Sequence, residues 1–409
     1  MRQDSAINPG AASPEGRKPF RRRVFYIPGY DPFPPRRYRE LYRKEGADQA
    51  RISGYGLELQ AKAVAGGYGW HVFGQIGHPC EAEMEVLVWT DLVRLSLDQG
   101  LLATYGQMLR TAWVYVGSGA LFRLARLRKG PTIAALYPVA MLLGQVLVGL
   151  LLAWGIGAVL ALVHPALAWI AAPFVLWGVL WAFRRQDHRL FAHYLMHDYA
   201  YCALGKGANP PELESRITTF TARLRAAMDA PLDEVLVVGH SSGAHIGVSV
   251  LADLLREGLP DKRPALAFLS LGHVVPMVSF LPRAQRLRRD LAYLSASDVL
   301  TWVDVTAPGD GCAFALCDPV AVTGVAPPDQ KGPLVISAAF TQTLSPARWA
   351  ALRWRFFRLH FQYLCAFDRP GDYDYFQITA GPLTLAQRYA GRPPSKSRIT
   401  RAASGYTGT

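Results

Sequence analysis

Cysteine is scarce in this chain. The five present (Cys80, Cys202, Cys312, Cys317 and Cys365) are odd in number and have no C-x-x-C spacing. That excludes a disulfide framework and a cysteine-based zinc site, and it fits a reducing, cytosol-facing location. Acidic residues are also few, 31 Asp+Glu against 44 Lys+Arg, giving a formal charge of +13. No helix-turn-helix, zinc-finger or RNP-type pattern accompanies the excess, so the expected partner is a lipid bilayer surface and not nucleic acid. Charged residues of either sign make up only 18% of the chain, while 51% is apolar, high for a soluble enzyme.

The apolar excess is concentrated. No charged residue occurs from Ile133 to Val163, nor from Ala166 to Phe183. Each run reaches the ~18–20 residues that cross a bilayer as a helix. His164-Pro165 breaks them into a hairpin, which is expected to occupy residues 131–185. Arg123, Arg126, Arg128 and Lys129 precede it and Arg184, Arg185 and Arg189 follow it, so both ends are expected on the cytoplasmic side of a bacterial-type inner membrane. A buried apolar helix pair or a membrane-dipping cap is the alternative. Residues 1–22 have no apolar core and a cleavage site after it, and with the basic tail 392–409 they are expected to be disordered.

The chemistry-bearing stretch is Val235-Leu236-Val237-Val238-Gly239-His240-Ser241-Ser242-Gly243. An apolar, largely β-branched run leads into G-x-S-x-G, and residues 244–257 continue with helical character. Strand, sharp turn and helix in that order present a serine hydroxyl above a sheet. The flanking glycines are expected because a β-carbon on either side would meet the neighbouring strand or helix.

At this stretch, and at residues 20–32 and roughly 231–380, the chain resembles the α/β-hydrolase superfamily. The resemblance implies an α/β fold: a hydrolase sheet with flanking helices, here interrupted by the two-helix hairpin into segments 23–130 and 186–391. It also implies a Ser241 nucleophile, with an acid and then a histidine following it in the chain. Val24-Phe25-Tyr26-Ile27 running into Pro28-Gly29-Tyr30 resembles the strand and turn that supply an oxyanion donor. Gly29 or Tyr30 is therefore expected to share that role with Ser242, the residue after the nucleophile. The acid is expected in the loop after Leu300–Thr306, where Asp310 stands, with Asp304 and Asp318 as alternatives. His360, with Tyr363 close behind it, resembles the late histidine of such esterases and is the expected base.

His240 and His273 are pocket or alternative triad candidates. His273 follows Ala265–Leu271 at the carboxyl end of an expected parallel strand, where open α/β sheets place their sites. His188, His193, His197 and Asp198 cluster after the hairpin. His193 and His197 have a metal-binding spacing and His193 with Asp198 an H-x4-D spacing, but no further ligand cluster or acyltransferase block accompanies them, and interfacial polar residues are the plainer account.

The expectation is thus a membrane-anchored serine hydrolase acting on an ester or thioester, needing no metal or organic cofactor. The alternatives are a serine-dependent acyltransferase on the same triad and a non-catalytic membrane scaffold with a degenerate hydrolase fold.

Overall fold

The computed structural model describes residues 18–62 and 66–409. Of the expected N-terminal arm, residues 1–17 lie outside the described residues, and Phe20 to Arg22 are already sheet. Eight strands form one mixed sheet: β1 (Phe20–Ile27), β2 (Gly56–Ala61), β3 (Gly69–Ile76), β4 (His78–Val86), β5 (Glu234–His240), β6 (Ala265–Leu271), β7 (Leu300–Thr306) and β8 (Leu334–Ser337). Their order is β2-β3-β4-β1-β5-β6-β7-β8. The pairs β2–β3 and β3–β4 are antiparallel, and every other pair is parallel.

The central strand β5 is buried along its whole length. Its side chains alternate: Val235 and Val237 enter one core with Leu224 and Ile246, and Leu236 and Val238 enter the other with Val305 and Phe376. An unbroken apolar run is what a parallel strand covered on both faces requires.

The helices up to β5 are α1 (Arg36–Ser53), α2 (Thr90–Leu97), α3 (Leu101–Gly117), α4 (Ala120–Leu127), α5 (Lys129–Ala161), α6 (Pro165–Arg185), the short α7 (Asp187–Leu190), α8 (Ala192–Leu204) and α9 (Pro211–Met228). After β5 comes α10 (Ser242–Arg256). The pair α5 and α6 is long and apolar enough to cross a membrane. Only 22% and 6% of their most apolar windows are buried, so they are not core helices of the sheet domain. The hairpin is inserted between β4 and β5.

The stretch from Asp91 toward Arg128 forms three helices, broken at Gly100 and at Ser118-Gly119, where Gly119 has φ +71°. Gly77, at φ +75°, reverses the chain between β3 and β4. Between Ser279 and Asp290, Arg288 is buried and donates to the carbonyls of Ser279 and Leu281. The C-terminal tail packs on the domain: Ile399 N–H bonds Leu316 O at 2.7 Å, Ala403 N–H bonds Val322 O at 2.9 Å, and Arg288 Nε bonds Gly408 O at 2.6 Å. Small residues there let main chain lie against main chain, which composition alone reads as disorder.

Candidate active site

Ser241 joins β5 to α10 with φ +57° and ψ −120°, a conformation that side-chain-bearing residues rarely adopt. The surroundings enforce it. A β-carbon at Gly239 would stand 2.7 Å from Gly243 O, and one at Gly243 would stand 2.1 Å from Ile27 O and 2.7 Å from Pro28 O. Both glycines of the G-x-S-x-G are therefore close-approach positions. Ser241 N–H donates to Leu271 O at 2.9 Å, tying the turn to β6.

His360 closes a short helix, Phe356–His360, beyond β8. Its Nδ1 lies 2.7 Å from Asp310 Oδ2. The same oxygen accepts from Tyr363 Oη at 3.0 Å, and Asp310 Oδ1 accepts from Cys312 N–H at 2.9 Å. Burial pushes the Asp310 carboxyl up; the opposing charge of His360 and these three hydrogen bonds outweigh it, and its pKa lies below the usual value. As a carboxylate, Asp310 accepts the Nδ1 proton, which leaves Nε2 as the ring nitrogen able to take a further proton. That Nε2 is buried and has no hydrogen-bond partner among the described residues.

The imidazole lies over the carboxyl ends of β5 and β6. A β-carbon at Gly272, φ +53°, would come within 3.0 Å of His360 Cε1. The ring of His240, next to the serine in the chain, is 4.8 Å from that of His360. Burial, then the neighbouring His360, push the His240 pKa down to about 3, so it is neutral and its Nε2–H donates to His360 O at 3.0 Å. His240 thus supports the base through its main chain. Ser241 Oγ makes no hydrogen bond to His360 among the described residues.

The three oxyanion candidates fare differently. A β-carbon at Gly29 would stand 2.9 Å from Ser241 Cβ and 3.4 Å from its Oγ, so the β1 turn lies directly against the serine. Ser242 is the first residue of α10, where a helix leaves its N–H without an intrahelical partner. Tyr30 is core, with its ring among Trp89, Tyr194 and Tyr201 and its carbonyl accepting from Tyr194 Oη.

No protein-family model matches the chain, and comparisons with curated proteins and with solved structures find no match either.

The other candidates lie apart from this group. Asp304 accepts from Ser270 Oγ at 2.6 Å inside β7, and its Oδ2 is 3.6 Å from His273 Nε2, which itself bonds Cys317 O at 3.0 Å. Burial raises the Asp304 pKa to about 6. Asp318 caps the helix Pro319–Thr323 through Val320 and Ala321 N–H. His193 and His197 are buried on α8, with His197 Nε2 3.4 Å from Thr104 Oγ1, and burial holds the His197 pKa down to about 4.

Asp198, passed over as an interfacial residue, lies within electrostatic reach of His360, Tyr30 and Cys312. Burial raises its pKa to about 7, with the His360 charge opposing. Its place near His360 leaves no mark in the sequence beyond the H-x4-D spacing from His193. Metal-type donors also meet here: the Asp310 carboxylate, Cys312 Sγ and a His360 ring nitrogen lie within 4.8 Å of one another. Burial and the nearby Asp310 charge keep the Cys312 thiol well above its usual pKa.

The feet of the hairpin reach the same loops. A β-carbon at Gly130, in the first turn of α5, would stand 3.1 Å from Gly311 O, next to Asp310. Phe191, just before α8, packs its ring 4.8 Å from that of Phe357, three residues before His360.

Proposed function

We propose that the chain is a membrane-anchored serine hydrolase of α/β-hydrolase type, its catalytic part facing the cytoplasm. Ser241 Oγ attacks a carboxylic ester or thioester carbonyl. His360 Nε2 takes the serine proton and returns it to the leaving group, and the Asp310 carboxylate holds the tautomer and stabilises the imidazolium. Ser242 N–H, with Gly29 or Tyr30 N–H, receives the oxyanion. Water then cleaves the acyl-enzyme. The carrying observation is the strained serine at φ +57°, next in the chain to His240, whose ring is 4.8 Å from that of His360, a histidine whose Nδ1 is 2.7 Å from a buried carboxylate and whose Nε2 is unpaired among the described residues. The lipid-like character of the substrate is inferred from the aromatic and apolar residues at the hairpin's feet, Phe191, Phe356 and Phe357.

A second reading is acyl transfer to an alcohol on the same serine. It is favoured by the burial of the base, His360. Labelling of membranes with a fluorophosphonate probe tests the shared chemistry: wild type is expected to react, and Ser241→Ala and His360→Ala are expected not to. Well-folded wild-type protein that stays unlabelled would favour the scaffold alternative. Products formed with and without an added alcohol then separate hydrolysis from transfer.

A further inference from the structure

We infer that α3 is a third bilayer contact, standing beside the hairpin where α5 passes from the hydrocarbon into the headgroups of an anionic membrane. The inference rests on the hairpin's being membrane-embedded. The helix is nearly without charge: of its 17 residues only Arg110 is ionisable as a cation, and none is acidic. One face packs inward through Leu101, Thr104, Met108, Thr111, Val114 and Tyr115. The opposite face is apolar too, with Leu102 72%, Leu109 67% and Trp113 77% exposed. Leu102, Leu109 and Val116 repeat every seven residues, two helical turns, and so form one stripe; Leu95 on α2 and Phe122 on α4 are exposed as well. An apolar surface of this extent is not left to water in a soluble domain.

The occupant follows from continuity and charge. Tyr105 Oη donates to Leu142 O on α5 at 3.4 Å, Met108 packs with Leu142, and the Arg184 guanidinium at the end of α6 bonds Gln99 O just before α3. Tyr105 lies at the level of Leu142, and Val114 and Tyr115 cluster with Ala135, so α3 runs antiparallel to the first part of α5. With 33 residues α5 is about 50 Å long, some 20 Å more than a hydrocarbon core of about 30 Å. Leu176 of α6 covers Gly149, and Ala168 covers Gly157. By that pairing α6 stops about level with residue 140, and below it α3 lies beside α5. This is the stretch that passes from hydrocarbon into headgroups. From Asp98 to Asp187 the sequence contains no acidic residue between the two, whereas Arg110, Arg123, Arg126, Arg128, Lys129, Arg184 and Arg185 fall inside. A purely cationic segment around an apolar stripe fits anionic lipid, with arginines reaching phosphates and Trp113 at the interface.

A nitroxide-bearing unnatural residue placed at Leu109, and separately at Leu102, tests this in the full chain reconstituted into phosphatidylcholine–phosphatidylglycerol vesicles. Trp154 in the hairpin and Asp261 on the sheet domain serve as references, and native cysteines stay untouched. Relaxation by oxygen against a water-soluble nickel complex is read at each position. The expected result is a raised oxygen-to-nickel ratio at 109 and 102, shifted from the value at 261 toward that at 154. A water-like ratio at both sites with a lipid-like ratio at 154 overturns the inference and leaves the hairpin standing. Low access to both reagents overturns it in favour of a protein partner, such as a second copy of the chain. A water-like ratio at 154 removes the membrane reading itself.

Discussion

Replacing Asp310 by Asn should abolish most of the reactivity of Ser241 while leaving the fold intact. Three donors converge on this carboxylate: His360 Nδ1 at 2.7 Å and Tyr363 Oη at 3.0 Å on Oδ2, and Cys312 N–H at 2.9 Å on Oδ1. An amide offers one acceptor oxygen and one donor. If its NH2 faces His360, the imidazole must accept at Nδ1, its proton moves to Nε2, and the nitrogen facing the serine is no longer a base. If its oxygen faces His360, the tautomer survives, but Cys312 N–H meets an NH2 and no charge remains to stabilise the imidazolium. A hydrogen bond to a charged group contributes about 1.5–3 kcal/mol, and an unmet buried donor costs about 1–3 kcal/mol. Together these give a barrier increase of about 2.5–6 kcal/mol, or about two to four decades in rate at about 1.36 kcal/mol per decade. Serine–histidine–aspartate sites elsewhere lose about 10⁴-fold on the same change. The assay is the second-order rate constant of fluorophosphonate labelling, measured beside Asp304→Asn, which should label like wild type because Asp304 is engaged with Ser270. An Asp310→Asn protein that labels at the wild-type rate would refute the assigned role, and a slow Asp304→Asn would move the role to β7.

Gly243→Ala should prevent the elbow from forming, since its methyl would stand 2.1 Å from a main-chain oxygen of β1, beyond the usual overpacking cost of about 1–3 kcal/mol; normal yield and melting temperature would contradict this. Asp198 has a folded pKa raised to about 7 by burial, so its contribution to stability is complete below the unfolded value and is lost as pH rises through 7. Asp198→Asn should therefore gain about 1–3 kcal/mol over wild type between pH 5 and pH 8, read as diverging melting temperatures; a pH-independent difference would argue against the shift. Leu151→Arg, in the exposed middle of α5, should cost about 2.5–3.5 kcal/mol of insertion and raise the fraction released by alkaline carbonate; unchanged retention would count against a spanning helix.

What could be read from the sequence was whatever is encoded locally. The elbow is visible because its two glycines and the β5 run are consequences of close main-chain approach and burial on both faces, and both leave marks in residue type. The hairpin is visible because charge is absent over its whole length. The order of the sheet is not visible: β1 lies between β4 and β5, strands separated from it by about fifty and two hundred residues, and nothing in Phe20–Ile27 names its neighbours. Asp198 is invisible for a related reason. An aspartate on a tyrosine-rich helix looks interfacial until the fold brings α8 beside His360. Oxyanion donors are main-chain groups, so their direction has no sequence signature beyond the small residue at Gly29.

The position of the insert bears on how the proposed chemistry would meet its substrate. One foot of the hairpin, Gly130, touches Gly311 in the acid loop, and Arg128 Nε donates to Ala315 O in the same loop at 2.8 Å. The other foot leads through Phe191 to Phe357 in the segment of the base. The β-carbon distance of 3.1 Å at Gly130 leaves no room for the first turn of α5 to slide over the acid loop without moving it. A displacement of the hairpin relative to the sheet would thus alter the Asp310–His360 pair before it altered the elbow, which β5, β6 and β1 hold from the other side. On the proposed function, then, the bilayer does more than retain the enzyme near its substrate. It fixes the helices whose feet position the acid and the base, and solubilisation that loosens the hairpin would lower reactivity while the nucleophile turn stays folded.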